Sequence, residues 1–327
     1  MEQIAVDGMR EQLLGRRQKL QDVLENAGQA EELTDLLEQV DQALDRIEKG
    51  TYGLCETCHD SIEIDRLTVD PLIKNCLDHL TAGEQRLLER DLDLAYVVQS
   101  NLLPPRDLAS PSWKTAYHYS PAGPVSGDYC DLFSPHGSES CLYFMVGDVS
   151  GKGVAASILM AQLHAIFRSL IAPGTALPTV LEQANRLFCE ATAHKHFATL
   201  VAGRVDEAGR VELCNAAHCR PLVVRHRSVD QVAPKSLPLG LFAHAVFPSQ
   251  QFQLDHGDQL VLYTDGIIEA RNTGNDLYSE ERLVAVAEAN RGKTPTEIID
   301  ASLADVSRFT AGRRLIDDVT MMVLQRN

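Results

Sequence analysis

Four short acidic motifs carry side chains that could work together: Ser126-Gly-Asp128-Tyr-Cys-Asp131, Val146-Gly-Asp148-Val-Ser-Gly-Lys-Gly153, Tyr263-Thr-Asp265-Gly-Ile-Ile-Glu269 and Ile316-Asp317-Asp318-Val-Thr320. In three of them an apolar run borders the aspartate, and in three a glycine adjoins it. A sheet would deliver such a carboxylate to its edge, and glycine would let backbone and ion approach closely. Hard cations such as Mg2+ and Mn2+ prefer carboxylate, carbonyl and water oxygens. Convergent aspartates with no histidine among them therefore predict a Mg/Mn centre. A single Asp-Gly pair reads only as a turn, so the weight lies in the four motifs together.

A second set has softer ligands. Cys55-Glu-Thr-Cys58 meets Cys76-Leu-Asp-His79 after a 17-residue spacer. Two knuckles at this separation can close a tetrahedral zinc site, and three thiolates with one imidazole leave no position for substrate water. Zinc bound by Cys55, Cys58, Cys76 and His79 would hold fold and not do chemistry. His59 competes for the fourth place, but it directly follows Cys58, which makes joint chelation awkward. Of eight cysteines, the other five (Cys130, Cys141, Cys189, Cys214, Cys219) sit among apolar neighbours and read as small core residues. Disulfides are not expected in a cytosolic chain of this length.

Taken in order, Gly-Asp128-Tyr-x-Asp131, Gly-Asp148-Val-Ser-Gly-Lys-Gly, Asn215-Ala-Ala-His218-x-x-Pro-Leu, Leu237-Pro-Leu-Gly240, Tyr-Thr-Asp265-Gly-Ile-Ile-Glu-Ala270 and Asp317-Asp-Val-Thr resemble the SpoIIE/RsbU-type branch of the metal-dependent (PPM) serine/threonine phosphatases, over about residues 110–326. Ser126 and Ala217 stand where that family usually has glycine, and Cys130 where an aromatic is common; no carboxylate is lost. The resemblance implies two Mg2+ or Mn2+ ions that activate a water for in-line attack on phosphorus. By motif match Asp148 bridges the ions, with the Val149 carbonyl on one. Asp265 and Asp317 complete the shell of the other, and Asp128 binds metal directly or orients a metal water. Asp131 and Asp318 fall to supporting roles. Lys152 reads either as a phosphate contact or as a solvated lysine, and His218 either as a proton shuttle or as a packed turn histidine.

Two other mechanisms fail on spacing. Gly147-x-x-x-Gly151-Lys152-Gly153 has three residues between its glycines and no Ser or Thr after the lysine, unlike a P-loop. No cysteine lies in an arginine-bearing phosphate loop, as a thiolate phosphatase would need.

The elements that must position these groups can be read from periodicity. Val6, Met9, Leu13, Leu20 and Val23, then Leu33, Leu37, Val40, Leu44 and Ile47, mark two amphipathic helices forming a hairpin that Gly50 closes. With Gln39–Cys58, Ile62–Leu67 and Lys74–Cys76, this segment resembles the DksA/TraR-type zinc finger and its hairpin, over about residues 5–80. Here the fourth ligand would be His79 instead of cysteine. The tip offers Glu25, Glu31 and Glu32 in place of a clear aspartate pair. That family inserts its acidic tip into an RNA polymerase channel, so the resemblance implies a polymerase contact. A third helix, 84–103, places Leu88, Leu92, Ala95, Gln99 and Leu102 on one seam, with Gln99 as a polar insertion that could set register. It reads as a dimer or signalling helix, or as a helix packed on its own domain. Beyond Pro105, short strand-like runs linked by hairpin-length turns alternate with grouped helices.

Composition fits this outline. Of 327 residues, 44% are hydrophobic and 23% charged, which is globular. The net charge of −16 divides into −12 over residues 1–100 and −4 over the rest, which disfavours nucleic acid and suits protein partners. No apolar run reaches the ~18–20 residues of a membrane span, and the start lacks a secretion signal, so a cytoplasmic location is expected.

The expected architecture is α+β: residues 1–82 a helical hairpin with a small zinc finger, 83–105 a linker or dimerisation helix, and 106–327 a PPM phosphatase-like layered β-sandwich flanked by helices. The expected function is a cytoplasmic Mn/Mg-dependent phosphoserine/phosphothreonine phosphatase, homodimeric, acting on a phosphoprotein such as an anti-sigma-factor antagonist. The alternative is a non-catalytic regulator docking on RNA polymerase or another partner through its hairpin.

Overall fold

The structure, a computed structural model, describes residues 3–27, 31–105, 110–135, 141–192, 195–233 and 236–327. The side chains of Glu25, Glu31 and Glu32, the acidic tip read from sequence, lie outside the described set, as does that of Val6. The chain divides into two units, Met1–Asp91 and Leu92–Asn327.

In the first unit, α1 (Gln3–Ala27) and α2 (Glu31–Glu48) meet through the seam their periodicity sets: Met9, Leu13 and Leu20 share one buried cluster with Val40 and Ala43. Gly50, at φ +69°, ends α2, with Gly50 N donating to the Ile47 carbonyl and Thr51 N to that of Arg46. This left-handed cap is one that glycine adopts without penalty. The apolar cluster continues through Tyr52, Cys55, Ile62, Leu67 and Cys76, so hairpin and knuckles share a core. Helix α3 (Ile64–Val69) and a 3-10 turn at Leu77–His79 complete the unit's knuckles. Helix α4 (Ala82–Ser100) begins at Thr81, where Thr81 Oγ1 accepts from Glu84 N and Glu84 Oε2 from Thr81 N. This reciprocal cap is legible in the sequence and places the start two residues earlier than periodicity alone did.

The second unit is built on two antiparallel five-stranded sheets. The first runs β1 (Trp113–Ser120), β10 (Val319–Arg326), β9 (Gln259–Tyr263), β6 (Leu222–Val224), β7 (Val229–Gln231). The second runs β2 (Asp128–Phe133), β3 (Cys141–Val149), β4 (Ala198–Asp206), β5 (Arg210–Ala216), β8 (Gln250–Gln253). Side chains alternate across a strand, so a central strand buried on both faces must be apolar throughout. In β3, Leu142, Phe144 and Val146 enter the cluster between the sheets, while Tyr143 and Met145 enter one shared with α5 (Gly153–Leu170) and α6 (Leu177–Thr192). In β10, Met322 and Leu324 face inward, while Met321 and Val323 meet α8 (Glu280–Ala289) and α9 (Pro295–Phe309). The result is the helix–sheet–sheet–helix sandwich expected from sequence.

Helix α5 is long and apolar enough by length and composition to cross a membrane, although Gln162, His164 and Arg168 interrupt its apolar run. Its Met160, Leu163 and Phe167 lie in the cluster under the second sheet. Of the lone cysteines, Cys130, Cys189 and Cys214 are buried, while Cys141 and Cys219 are half-buried.

Gly203 sits opposite Phe144 in the β3–β4 register, and a Cβ there would come 2.1 Å from the ring. Gly203→Ala is expected to cost about 2 kcal/mol through overpacking, read as a lower urea midpoint. The loss should shrink when Phe144→Leu is present; an unchanged midpoint in the single variant would contradict this packing.

Candidate active site

The aspartates lie at one end of both sheets. Asp128 opens β2 and stands opposite Asp148, near the end of β3. Gly147 precedes Asp148 because a Cβ there would come 2.5 Å from the Thr199 carbonyl of the adjoining strand. A Cβ at Gly127 would meet the Val149 carbonyl at 3.0 Å and Asp148 Oδ1 at 3.3 Å. These two oxygens therefore lie beside one another at Gly127.

The other sheet supplies the rest. After β9, Thr264 leads into the one-turn helix α7 (Asp265–Ile268). A Cβ at Gly266 would fall 1.9 Å from the Asp318 carbonyl, so only glycine lets this turn approach the Asp317-Asp318 loop closely. Asp318 accepts from Ala122 N at 2.7 Å and Gly127 N at 2.9 Å, tying that loop to the segment before Asp128. Thr264 Oγ1 and Thr320 Oγ1 both donate to Asp128 Oδ2, at 2.9 and 2.5 Å. This buried carboxylate thus joins β2 of one sheet to the ends of β9 and β10 of the other.

The charges press on one another. Burial, then neighbouring Asp265, Asp317 and Asp318, pushes the Asp148 carboxyl up to about 7. Burial, followed by Glu269 and Asp317, raises Asp265. Burial raises Asp128 well above the carboxylate range, with Asp148 and Asp318 adding to it and the Thr320 hydroxyl opposing. Lys152 is the cation at hand: its Nζ donates to Asp317 Oδ1 at 3.0 Å and to the Ile316 carbonyl at 3.2 Å.

The remaining predicted residues take structural places. Asp131 is fully buried in a two-pronged pair with Arg168, at 2.8 and 2.7 Å. His218 is buried, its Nδ1 lies 2.8 Å from Thr199 Oγ1, and burial pushes its ring down to about 4, so it is neutral at physiological pH. Ala217 before it adopts φ +56°, the left-handed region that explains why glycine is usual there. Gln99, read from sequence as a register-setting insertion in a seam, is instead buried. Its Nε2 donates to the Ser126 carbonyl at 2.7 Å and its Oε1 accepts from Ser126 N at 3.0 Å, two residues before Asp128. Periodicity gave no sign of this contact.

In the first unit, Cys55, Cys58, Cys76 and His79 offer ligand atoms all within 4.8 Å of one another. Cys58 Sγ and Cys76 Sγ are 3.8 Å apart, and Cys76 Sγ is 3.3 Å from His79 Nδ1. A tetrahedron with Zn–S of about 2.3 Å and Zn–N of about 2.0 Å needs edges of roughly 3.8 and 3.5 Å, so the set fits zinc. His59, at φ +61°, is not part of this group.

The layered fold is PP2C-like. The SiaA PP2C domain of Pseudomonas aeruginosa superposes with a TM-score of 0.67 over 76% of this chain and all of that one, at 17% identity. The RsbU and RsbW domains of Rv1364c from Mycobacterium tuberculosis match with a TM-score of 0.56 at 28% identity, covering 69% of this chain and 62% of that one. The chain belongs to the stage II sporulation protein E (SpoIIE) family, whose model matches residues 138–327. Relatives include protein IcfG of Synechocystis, 27% identical over 78% of this chain and 45% of its own length. Two Bacillus subtilis phosphoserine phosphatases also match: RsbP, 26% identical over 55% of this chain and 46% of its own, and RsbU, 24% identical over 75% and 72%. The chain spans about half the length of IcfG and RsbP.

A carboxyl whose folded pKa is raised stabilises the fold below its unfolded pKa, and that contribution is lost as pH rises through the folded value. For Asp148 the window runs from about 4 to about 7. The metal-free chain is expected to melt lower at pH 8 than at pH 5.5, with Asp148→Asn flattening the slope and Mn2+ raising Tm more at pH 8. Equal Mn2+ stabilisation at both pH values, read by calorimetry, would contradict this.

Proposed function

We propose that residues 106–327 are a Mg2+/Mn2+-dependent protein serine/threonine phosphatase. The observation that carries the reading is that burial, followed by neighbouring carboxylates with Asp317 among them, pushes up both Asp148 and Asp265, which come from two different sheets, within a SpoIIE-family fold. An all-oxygen, mutually repelling donor set suits hard divalent cations. Asp148, the Val149 carbonyl, Asp265 and Asp317 would hold them. Bound there, the ions supply an activated water and offset charge developing on the phosphoryl oxygens. Solved structures of similar fold include RsbX in complex with magnesium. Asp128, with Oδ2 committed to two hydroxyls, serves better to orient water than as a full ligand. Neutral, enclosed His218 holds the loop after β5 and does not shuttle protons.

The substrate in this reading is a phosphorylated partner-switching protein of the anti-sigma-factor antagonist kind, acted on in the cytoplasm. Support comes from the likeness to RsbU and RsbP. Residues 1–82 form a structural zinc finger of DksA/TraR kind, carried by the four-ligand geometry, with a polymerase contact as one use of its hairpin. Residues 83–105 connect the two. Leu94, Val97 and Val98 of α4 are more than half exposed and would cover one another in a homodimer. Sedimentation as a monomer would remove that element.

Phosphate release from a phosphorylated antagonist is expected only with Mn2+ or Mg2+. Asp148→Asn and Asp265→Asn should each lower it by well over about 100-fold, beyond the usual effect of an outer partner. Metal-independent turnover, or full activity in either variant, would remove the enzymatic reading; capture of a partner without turnover would favour the binding-only alternative. For the finger, metal analysis of the full chain in reducing buffer should recover one zinc, lost or weakened in His79→Ala and retained in His59→Ala. Recovery of none would sink it.

A further inference from the structure

Beside the carboxylates, a pocket of about 360 Å³ is lined by Gly266, Glu269, Arg271, Arg313, Arg314 and Asp317. Three arginines from two separate loops thus line one concavity next to a candidate metal ligand. None is spent on a carboxylate. Arg271 Nη1 donates to the Asn275 carbonyl at 2.9 Å and Arg314 Nη2 to that of Ala122, and among the described residues none of the three arginines forms an ion pair. Glu269 shares the pocket without being paired to any of them. Elsewhere in the same unit, Arg168, Arg204 and Arg282 are each matched to an aspartate or glutamate. In a chain of net charge −16, three arginines without an ion pair, set against Glu269 and with Asp317 already paired to Lys152, leave the concavity a surplus of positive charge that an incoming anion would offset.

We infer that this pocket binds acidic side chains of the protein substrate that flank the phosphoserine, and so sets substrate preference. The inference rests on the phosphatase reading for its location, since Asp317 borders both pocket and metal centre. The chemistry follows from the guanidinium, whose planar fork matches carboxylate oxygens in pairs, and whose charge persists at any working pH. All three arginines are exposed, so such pairs are screened by salt and the preference weakens as ionic strength rises.

The test compares wild type, Arg271→Ala/Arg313→Ala and Arg313→Lys, as full chains with Mn2+, on four probes. These are p-nitrophenyl phosphate, a phosphoserine peptide flanked by Asp and Glu, the same peptide with Asn and Gln, and one with a second phosphoserine replacing the acids. Wild type should prefer the acidic over the amide peptide. The double alanine variant should raise KM for the acidic peptide about tenfold, the equivalent of ~1.4 kcal/mol. Its turnover of the amide peptide and of p-nitrophenyl phosphate should stay unchanged, and Arg313→Lys should fall between. Equal losses on both peptides, or no loss, would overturn the pocket, as would preference for the doubly phosphorylated peptide over the acidic one. If wild type hydrolyses none of the probes, the phosphatase reading fails instead. Fluorescence polarisation of the labelled acidic and amide peptides then decides the pocket, which falls if the arginine variant binds both as wild type does.

Discussion

The Asp128 carboxylate, held by the hydroxyls of Thr264 and Thr320, is the contact on which the site depends. Each sheet of the sandwich could be assembled and packed without fixing the register of one edge against the other. This buried junction fixes it. It sets β2, and through the strand pairing Asp148, against the turn that carries Asp265 and the loop that carries Asp317. Asp318 makes a second tie at the same end by accepting two backbone N–H groups. Within each sheet's edge the backbones also approach closely, at Gly147 and Gly266, where a Cβ would come 2.5 and 1.9 Å from the Thr199 and Asp318 carbonyl oxygens.

Such a junction concentrates negative charge where water is scarce. Burying carboxylates side by side is unfavourable unless they bind protons or cations. The fold supplies few positive charges there: Lys152 reaches Asp317, while Arg168 is fully occupied by Asp131 deeper in the structure. In the proposed reading, divalent cations would offset that repulsion. Arg271, Arg313 and Arg314 line a concavity bordered by Asp317 and, among the described residues, form no ion pair.

Much of this was legible in the chain. The apolar runs of β3, β9 and β10 showed as strands because both faces are buried, and the motifs pointed to the aspartates because each needs glycine or a turn beside it. What stayed hidden has a common cause. Strand β2 reads Asp-Tyr-Cys-Asp-Leu-Phe, with all six residues buried, and its two charges are tolerated only through partners far along the chain, Thr264, Thr320 and Arg168. Strands β7 and β8 are short edges with polar residues that face water, so they carry no apolar alternation. Gln99 looked like an interruption in a helix seam because its partner is backbone, which no residue pattern announces. The cluster of Cys55, Cys58, Cys76 and His79, in contrast, lies in two knuckles whose spacing suffices to join them.

The central claim, that carboxylates from both sheets grip a pair of divalent ions, is tested most directly by counting Mn2+ on the purified chain. Calorimetric titration, with low-temperature electron paramagnetic resonance to detect spin coupling, should find two interacting Mn2+ per chain in the wild type and loss of the coupled signal in Asp148→Asn. No Mn2+ binding at millimolar metal, or the same coupled pair in Asp148→Asn, would contradict it.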